Sequence, residues 1–216
     1  MEVADARRLM VATHCTSSQG VKMCVRQGVH VIYHAPHADS EARDMLEAAR
    51  DRLFVAPAAG LPISMLRRHE EFGLDWSKEK IASMESEVET VTNCMRDLHR
   101  RGVRVLPGGD YGAFVTNPMG ENAKDLQHFV DLFGFTPMEA IVAATRHGAE
   151  LMRMENEVGQ IRPGFLADLL VLDGDPLVDI RLFQDQDKIL GVLKGGRFAK
   201  KSGALLLEAE PNRKAA

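Results

Sequence analysis

The chain has 216 residues, 45% of them hydrophobic and 27% charged, with a formal net charge of −4 and a pI of about 6.1. These values fit an ordinary globular domain and give none of the clustered basic surface that nucleic-acid binding needs. The short basic clusters at 67–69, 99–101 and 200–201 are interleaved with acids and read as solvated helix faces.

No stretch of about 18 apolar residues could span a membrane, and the first ten residues do not read as a secretory signal. Three cysteines, Cys15, Cys24 and Cys94, form no CxxC pair. That usage fits a reducing compartment, so the cytoplasm is the expected location.

In chain order, residues 8–14 read as a short apolar strand. A hydroxyl cap, Val21, Met23, Cys24 and Val25 at helical spacing, and a terminating Gly28 follow. "VHVIYH" is β-branched and aromatic, a second strand. Asp39 caps a helix carrying Ala42, Met45, Leu46 and Ala49 on one face. "LFVAP" is a third strand, followed by a long excursion and then a long helix over 77–101, with Ser77 as cap and Gly102 as stop. "VRVLP" is the fourth strand, and a helix is expected from near Asn122. Strands alternating with helices predict a parallel sheet.

"TPMEAIVAATRHGAELM" opens with Thr136, Pro137 and Glu139 in the positions of a capping box. Beyond Gly159 the texture changes. "ADLLVLD" reads as a strand, and "KILGVLKGGRFAKK" as two strands joined by a Gly-Gly turn. Residues 204–216 are polar and read as a disordered tail.

Three metal-competent side chains stand at strand exits: His14, His34 and Asp110. In parallel α/β sheets that is where active groups collect. Twenty residues separate the two histidines, one strand–helix–strand step, and adjacent strands lie about 4.8 Å apart. Two imidazoles so placed could share an ion, with Zn²⁺ best suited and Mn²⁺, Co²⁺ or Fe²⁺ as alternatives. The same residues also read as hydrogen-bonding groups at strand ends and a turn aspartate; spacing leaves both readings open. His37 reads as a surface group. His69, His99 and His128 read as solvated, and His147 as a cation near a helix end.

The segments "ATHCTSSQGVKMCVRQGVHVIYHAPHAD", "LPGGDYGAFVTNPMGENAKDL", "TPMEAIVAATRHGAELM" and "GQIRPGFLADLLVLDGDPLVDI" carry a resemblance. Over most of residues 8–200 the chain resembles the carboxyl-terminal half of the metal-dependent amidohydrolases, in their imidazolonepropionase-related, prolidase-like branch. The resemblance implies a partial TIM-type (β/α)₈ barrel, strands five to eight, over residues 8–158. It implies a small β unit of the composite β-sandwich domain over 159–203. His14 and His34 would be metal ligands on the fifth and sixth strands. Asp110, on the eighth, would be metal ligand and general base, and Tyr111 a substrate contact. Gly108 and Gly109 would let the backbone turn tightly beside Asp110.

The implied activity is metal-dependent hydrolysis of an amide or other C–N bond, in a small amide, dipeptide or N-acyl amino acid. The family's first-strand His-x-His pair and fourth-strand lysine have no counterpart here. The rival expectation is therefore a catalytically inactive fragment, or a partner subunit that completes a barrel with another chain or by self-association.

Overall fold

The structure, a computed structural model, describes residues 1–203. The expected tail, 204–216, lies outside the described residues. A short helix, α1 (Glu2–Ala6), precedes four strand–helix steps: β1 (Ala12–Ser17), α2 (Ser18–Gln27), β2 (Val31–His37), α3 (Ser40–Ala48), β3 (Phe54–Ala56), α4 (Gly60–Arg68), α5 (Lys78–Arg100), β4 (Arg104–Val105) and α6 (Lys124–Asp131). The strands form one sheet in the order β1-β2-β3-β4, every pair parallel, as the alternation predicts. After α7 (Pro137–Ala144) and α8 (Arg146–Leu151), strands β5 (Leu169–Leu172), β6 (Ile189–Lys194) and β7 (Arg197–Lys201) make a separate antiparallel sheet. A 3₁₀ turn, Ile180–Gln184, lies between β5 and β6.

The caps read from the sequence are formed. Asp39 accepts from the Ala42 N–H, and Ser77 from that of Lys80. Thr136 and Glu139 bond each other's backbone in the expected capping box. The excursion after β3 holds α4, which no side chain caps. Its sequence, with Pro62 inside the first turn, carries weak helix signals, so packing rather than propensity makes it a helix.

Register separates the two faces of the parallel sheet. Ile32, Val55 and Val105 lie side by side and are at most 1% exposed. They face the helices, against Leu46, Met95, Leu98 and Phe129, in one core. Each such side chain contributes roughly 1.5–3 kcal/mol by leaving water. The opposite face carries Ala12 and His14 of β1, Tyr33 of β2, and Phe54 with Arg104 of β3 and β4. Ala12, His14 and Tyr33 are exposed. Phe54 is buried, with the Arg104 guanidinium 3.9 Å above its ring and paired to Glu150 at 3.3 Å.

Several histidines depart from the expected solvated state. His128 is 6% exposed. His99 stacks on Phe135 with 3.6 Å between ring centroids, and burial pushes its pKa down. His147 is pushed down too, by burial first, and its buried Nδ1 has no partner among the described residues. A neutral imidazole there replaces the expected helix-end cation. Sequence context suggested solvation for His99 and His128 because charged neighbours surround them. On a helix, one register step decides which face a side chain takes.

Candidate active site

His14 and His34 lie within β1 and β2, which run on to Ser17 and His37 instead of ending at these residues as expected, and Asp110 lies in the loop after β4. His14 stands on the open face of β1, opposite Tyr33. Register pairs His34 with Cys15, which is buried on the helix side. Regular alternation would therefore turn His34 away from His14. Two consecutive left-handed residues, His34 (φ 76°) and Ala35 (φ 56°), break the alternation. The two rings then meet edge-on, centroids 4.3 Å apart. The Cys94 thiol holds this irregular stretch by donating to the Ala35 carbonyl at 3.3 Å. A left-handed backbone is costly for residues other than glycine, and such strain concentrates at functional sites.

His34 loses proton affinity through burial first and repulsion from His14 second; the Asp110 carboxylate acts in the opposite direction. A neutral imidazole is the form that donates to a metal. The structure thus brings His14 and His34 together, with Asp110 near enough for its charge to reach His34. The three do not converge further: among the described residues no group of three or more His, Cys, Asp or Glu side chains is arranged around one ion. As a donor set, two facing imidazoles fit a borderline metal such as Zn²⁺ as two of its ligands.

The loop after β4 is built around Asp110, itself left-handed at φ 58°. Gly108 and Gly109 are not among the left-handed residues. They supply closeness. A Cβ on Gly108 would stand 3.1 Å from that of Ala56, and one on Gly109 would strike the Tyr111 ring and the Asp125 carboxylate. Asn117, fully buried, donates from Nδ2 to the carbonyls of Gly109 and Asp110, both at 3.0 Å. Tyr111 donates its hydroxyl to Asp125 at 3.1 Å. Burial first, then the Asp125 charge, raises the phenol pKa, so it stays protonated. Sequence reasoning missed Asn117 and Asp125. Nothing in "TNP" or "KDL" marks them until the loop folds back over α4 and α6.

Residues 1–199 match the profile of the amidohydrolase family. The chain belongs to that family. It is 29% identical over 204 residues to the ochratoxinase of Aspergillus niger, covering 94% of this chain and 40% of that protein. Over a shorter stretch of 40 residues it is 50% identical to an imidazolonepropionase of Aeromonas hydrophila, 18% of this chain and 10% of that one. In three dimensions this amidohydrolase-family chain resembles A. niger ochratoxinase with a TM-score of 0.79 and 26% identity, over 94% of this chain and 44% of that one. It resembles a Xaa-Pro dipeptidase with bound methionine in the active site with a TM-score of 0.77 and 25% identity, over 92% and 47%. The chain spans about two fifths of the length of the ochratoxinases it matches. No helix among the described residues is long and apolar enough to cross a membrane.

Proposed function

We propose that this chain carries the metal-binding and proton-transfer half of a hydrolase acting on amide or other C–N bonds. On this reading residues 8–158 are strands five to eight of a (β/α)₈ barrel, and 159–203 belong to a β-sandwich domain. The substrate class is a dipeptide or N-acyl amino acid. Neighbours described as an ochratoxinase and a Xaa-Pro dipeptidase support that choice. The observation that carries the reading is the facing pair of His14 and His34 on adjacent parallel strands.

His14 and His34 would hold the metal, Zn²⁺ by preference. When bound, it supplies a Lewis acid beside the scissile carbonyl. Asp110 takes the proton from the attacking water and returns it to the nitrogen as the C–N bond breaks. Tyr111, protonated and braced on Asp125, keeps the loop in place and borders the substrate. The test is hydrolysis of N-acetyl amino acids and Xaa-Pro dipeptides by the purified chain with added Zn²⁺. Turnover that disappears in Asp110→Asn and His34→Ala supports the reading; turnover unaffected by both refutes it.

The absence of a third convergent donor among the described residues favours a second reading. In it the chain alone is inactive and completes a barrel with another chain. Activity that appears only on adding the amino-terminal half of a related enzyme would select this reading.

A further inference from the structure

A cavity of about 220 Å³ opens directly beside His34. Two helices form opposite walls, and Thr16, His34 and Pro36 of β1 and β2, with the loop after β3, line the rest. Leu61, Pro62 and Met65 of α4 form one side; Met84, Glu87 and Val91 of α5, spaced to share one helix face, form the other. The long helix makes this possible. α5 runs antiparallel to the strands, so its first residues lie at the carboxyl end of the sheet. Its buried residues, Val91, Thr92, Cys94, Met95 and Leu98, all fall in the second half. The first half, apart from Val88, which packs against the core, borders the cavity.

We infer that this cavity is the subsite for an uncharged, apolar side chain of the substrate, of leucine, methionine or phenylalanine size; this rests on the hydrolase reading of the His14–His34 site. Three observations carry it. The volume is below the roughly 300–1,000 Å³ of pockets that take a whole ligand, so it suits one group rather than an entire molecule. Apart from Glu87 the helix walls are aliphatic and thioether, and two flexible methionines can adjust to side chains of different shape. Glu87, the one carboxylate in the lining, disfavours an anionic group there. His34 lies in the same lining, so a side chain in the cavity leaves the adjoining backbone amide at the imidazole pair.

The test uses the full chain labelled with ¹³C at its methionine methyls, 11 in number. Met65→Leu and Met84→Leu assign the two cavity signals. The probes are N-acetyl-L-phenylalaninamide and N-acetylglycinamide, neutral amides that differ by the benzyl group. The expected result is a saturable shift of Met65 and Met84 with the phenylalanine probe, half-complete on the order of 1 mM as for other fragment-sized ligands. The glycine probe should give at least a tenfold weaker response. Met65→Trp, which fills the cavity, should abolish the shift at Met84. Contacts from probe ring protons to both methyls, measured in the unsubstituted chain, test the same point should that variant misfold. Equal responses to the two probes, or no response at either methionine, overturn the subsite. Zinc-dependent hydrolysis measured on the same samples separates the two claims. Binding without hydrolysis leaves the subsite standing against the hydrolase reading; hydrolysis indifferent to the side chain does the reverse.

Discussion

One amide nitrogen of Asn117 is bonded to the carbonyl of Asp110, seven residues earlier, and to that of Gly109 beside it. The loop is closed again through its backbone, where the Gly112 N–H donates to the Asn117 carbonyl at 2.7 Å. A buried side chain therefore fixes the left-handed conformation that sets the direction of the Asp110 carboxylate.

Asn117→Ala removes both donors and leaves two carbonyls without partners. That costs about 1–3 kcal/mol, a fall in Tm of roughly 5 °C for a chain of this size. Asn117→Asp, which sets a carboxylate against two carbonyl oxygens, is expected to cost at least as much. Asp110→Gly should act in the other direction, raising Tm by about 2–4 °C through relief of the left-handed strain, while abolishing any hydrolysis. Melting curves of the three variants check these signs. An unchanged Tm in Asn117→Ala would show that the loop is held by other contacts.

Metal retention by the purified chain should be weak. Two imidazoles supply two ligands, and no third donor joins them among the described residues. Elemental analysis after dialysis is expected to find less than one zinc per chain, and His34→Ala to lower it further. Tight stoichiometric zinc that survives His34→Ala would place the metal elsewhere.

The sequence was informative where local chemistry decides structure. The parallel sheet, the Asp39, Ser77 and Thr136 caps and the Gly-Gly hairpin all follow from periodicity and side-chain capping. His14 and His34 were legible as metal-competent residues of adjacent strands, but not that β1 and β2 run on past them to Ser17 and His37. Illegible were features that depend on distant segments meeting. The turn of His34 toward His14 rests on two left-handed residues held by Cys94 from α5. The brace under Asp110 rests on Asn117, Tyr111 and Asp125, brought together by a loop without regular structure. His99 looked solvated because its partner, Phe135, lies 36 residues away.

Stability should fall as the pH drops below neutrality. Burial depresses the pKa of His99 and His147 below the ordinary 6.5; nearby Glu139 and Glu150 offset it only in part. Just below pH 6.5 the unfolded chain takes up protons that the folded chain does not, so acid favours unfolding. The contribution is fully present above about pH 6.5 and declines below it, until the folded imidazoles also protonate. His99→Phe, which keeps a ring against Phe135, and His147→Leu should each make the decline of Tm between pH 7 and 5 shallower. Parallel Tm profiles for the unsubstituted chain and both variants would count against this assignment.

The last expectation concerns the open side of the parallel sheet. β1 and β4 are its two edges, and they are not equivalent. β4 has two residues, and Arg104, lying over Phe54 and paired with Glu150, covers the face beside it. β1 has six residues, with Ala12, His14, Thr16 and Ser17 exposed, and the neighbouring Tyr33 is 43% exposed. An uncovered edge strand offers unpaired backbone groups to another chain. The expected outcome is association through β1 and the Tyr33 face, so that at micromolar concentration the protein sediments above its 23.9 kDa monomer mass. Ala12→Lys and Tyr33→Lys put like charges on that face and should shift the population toward monomer, whereas Ala199→Lys on β7 should not. If the unsubstituted chain is a monomer with a cooperative melt, the exposed β1 edge does not drive assembly.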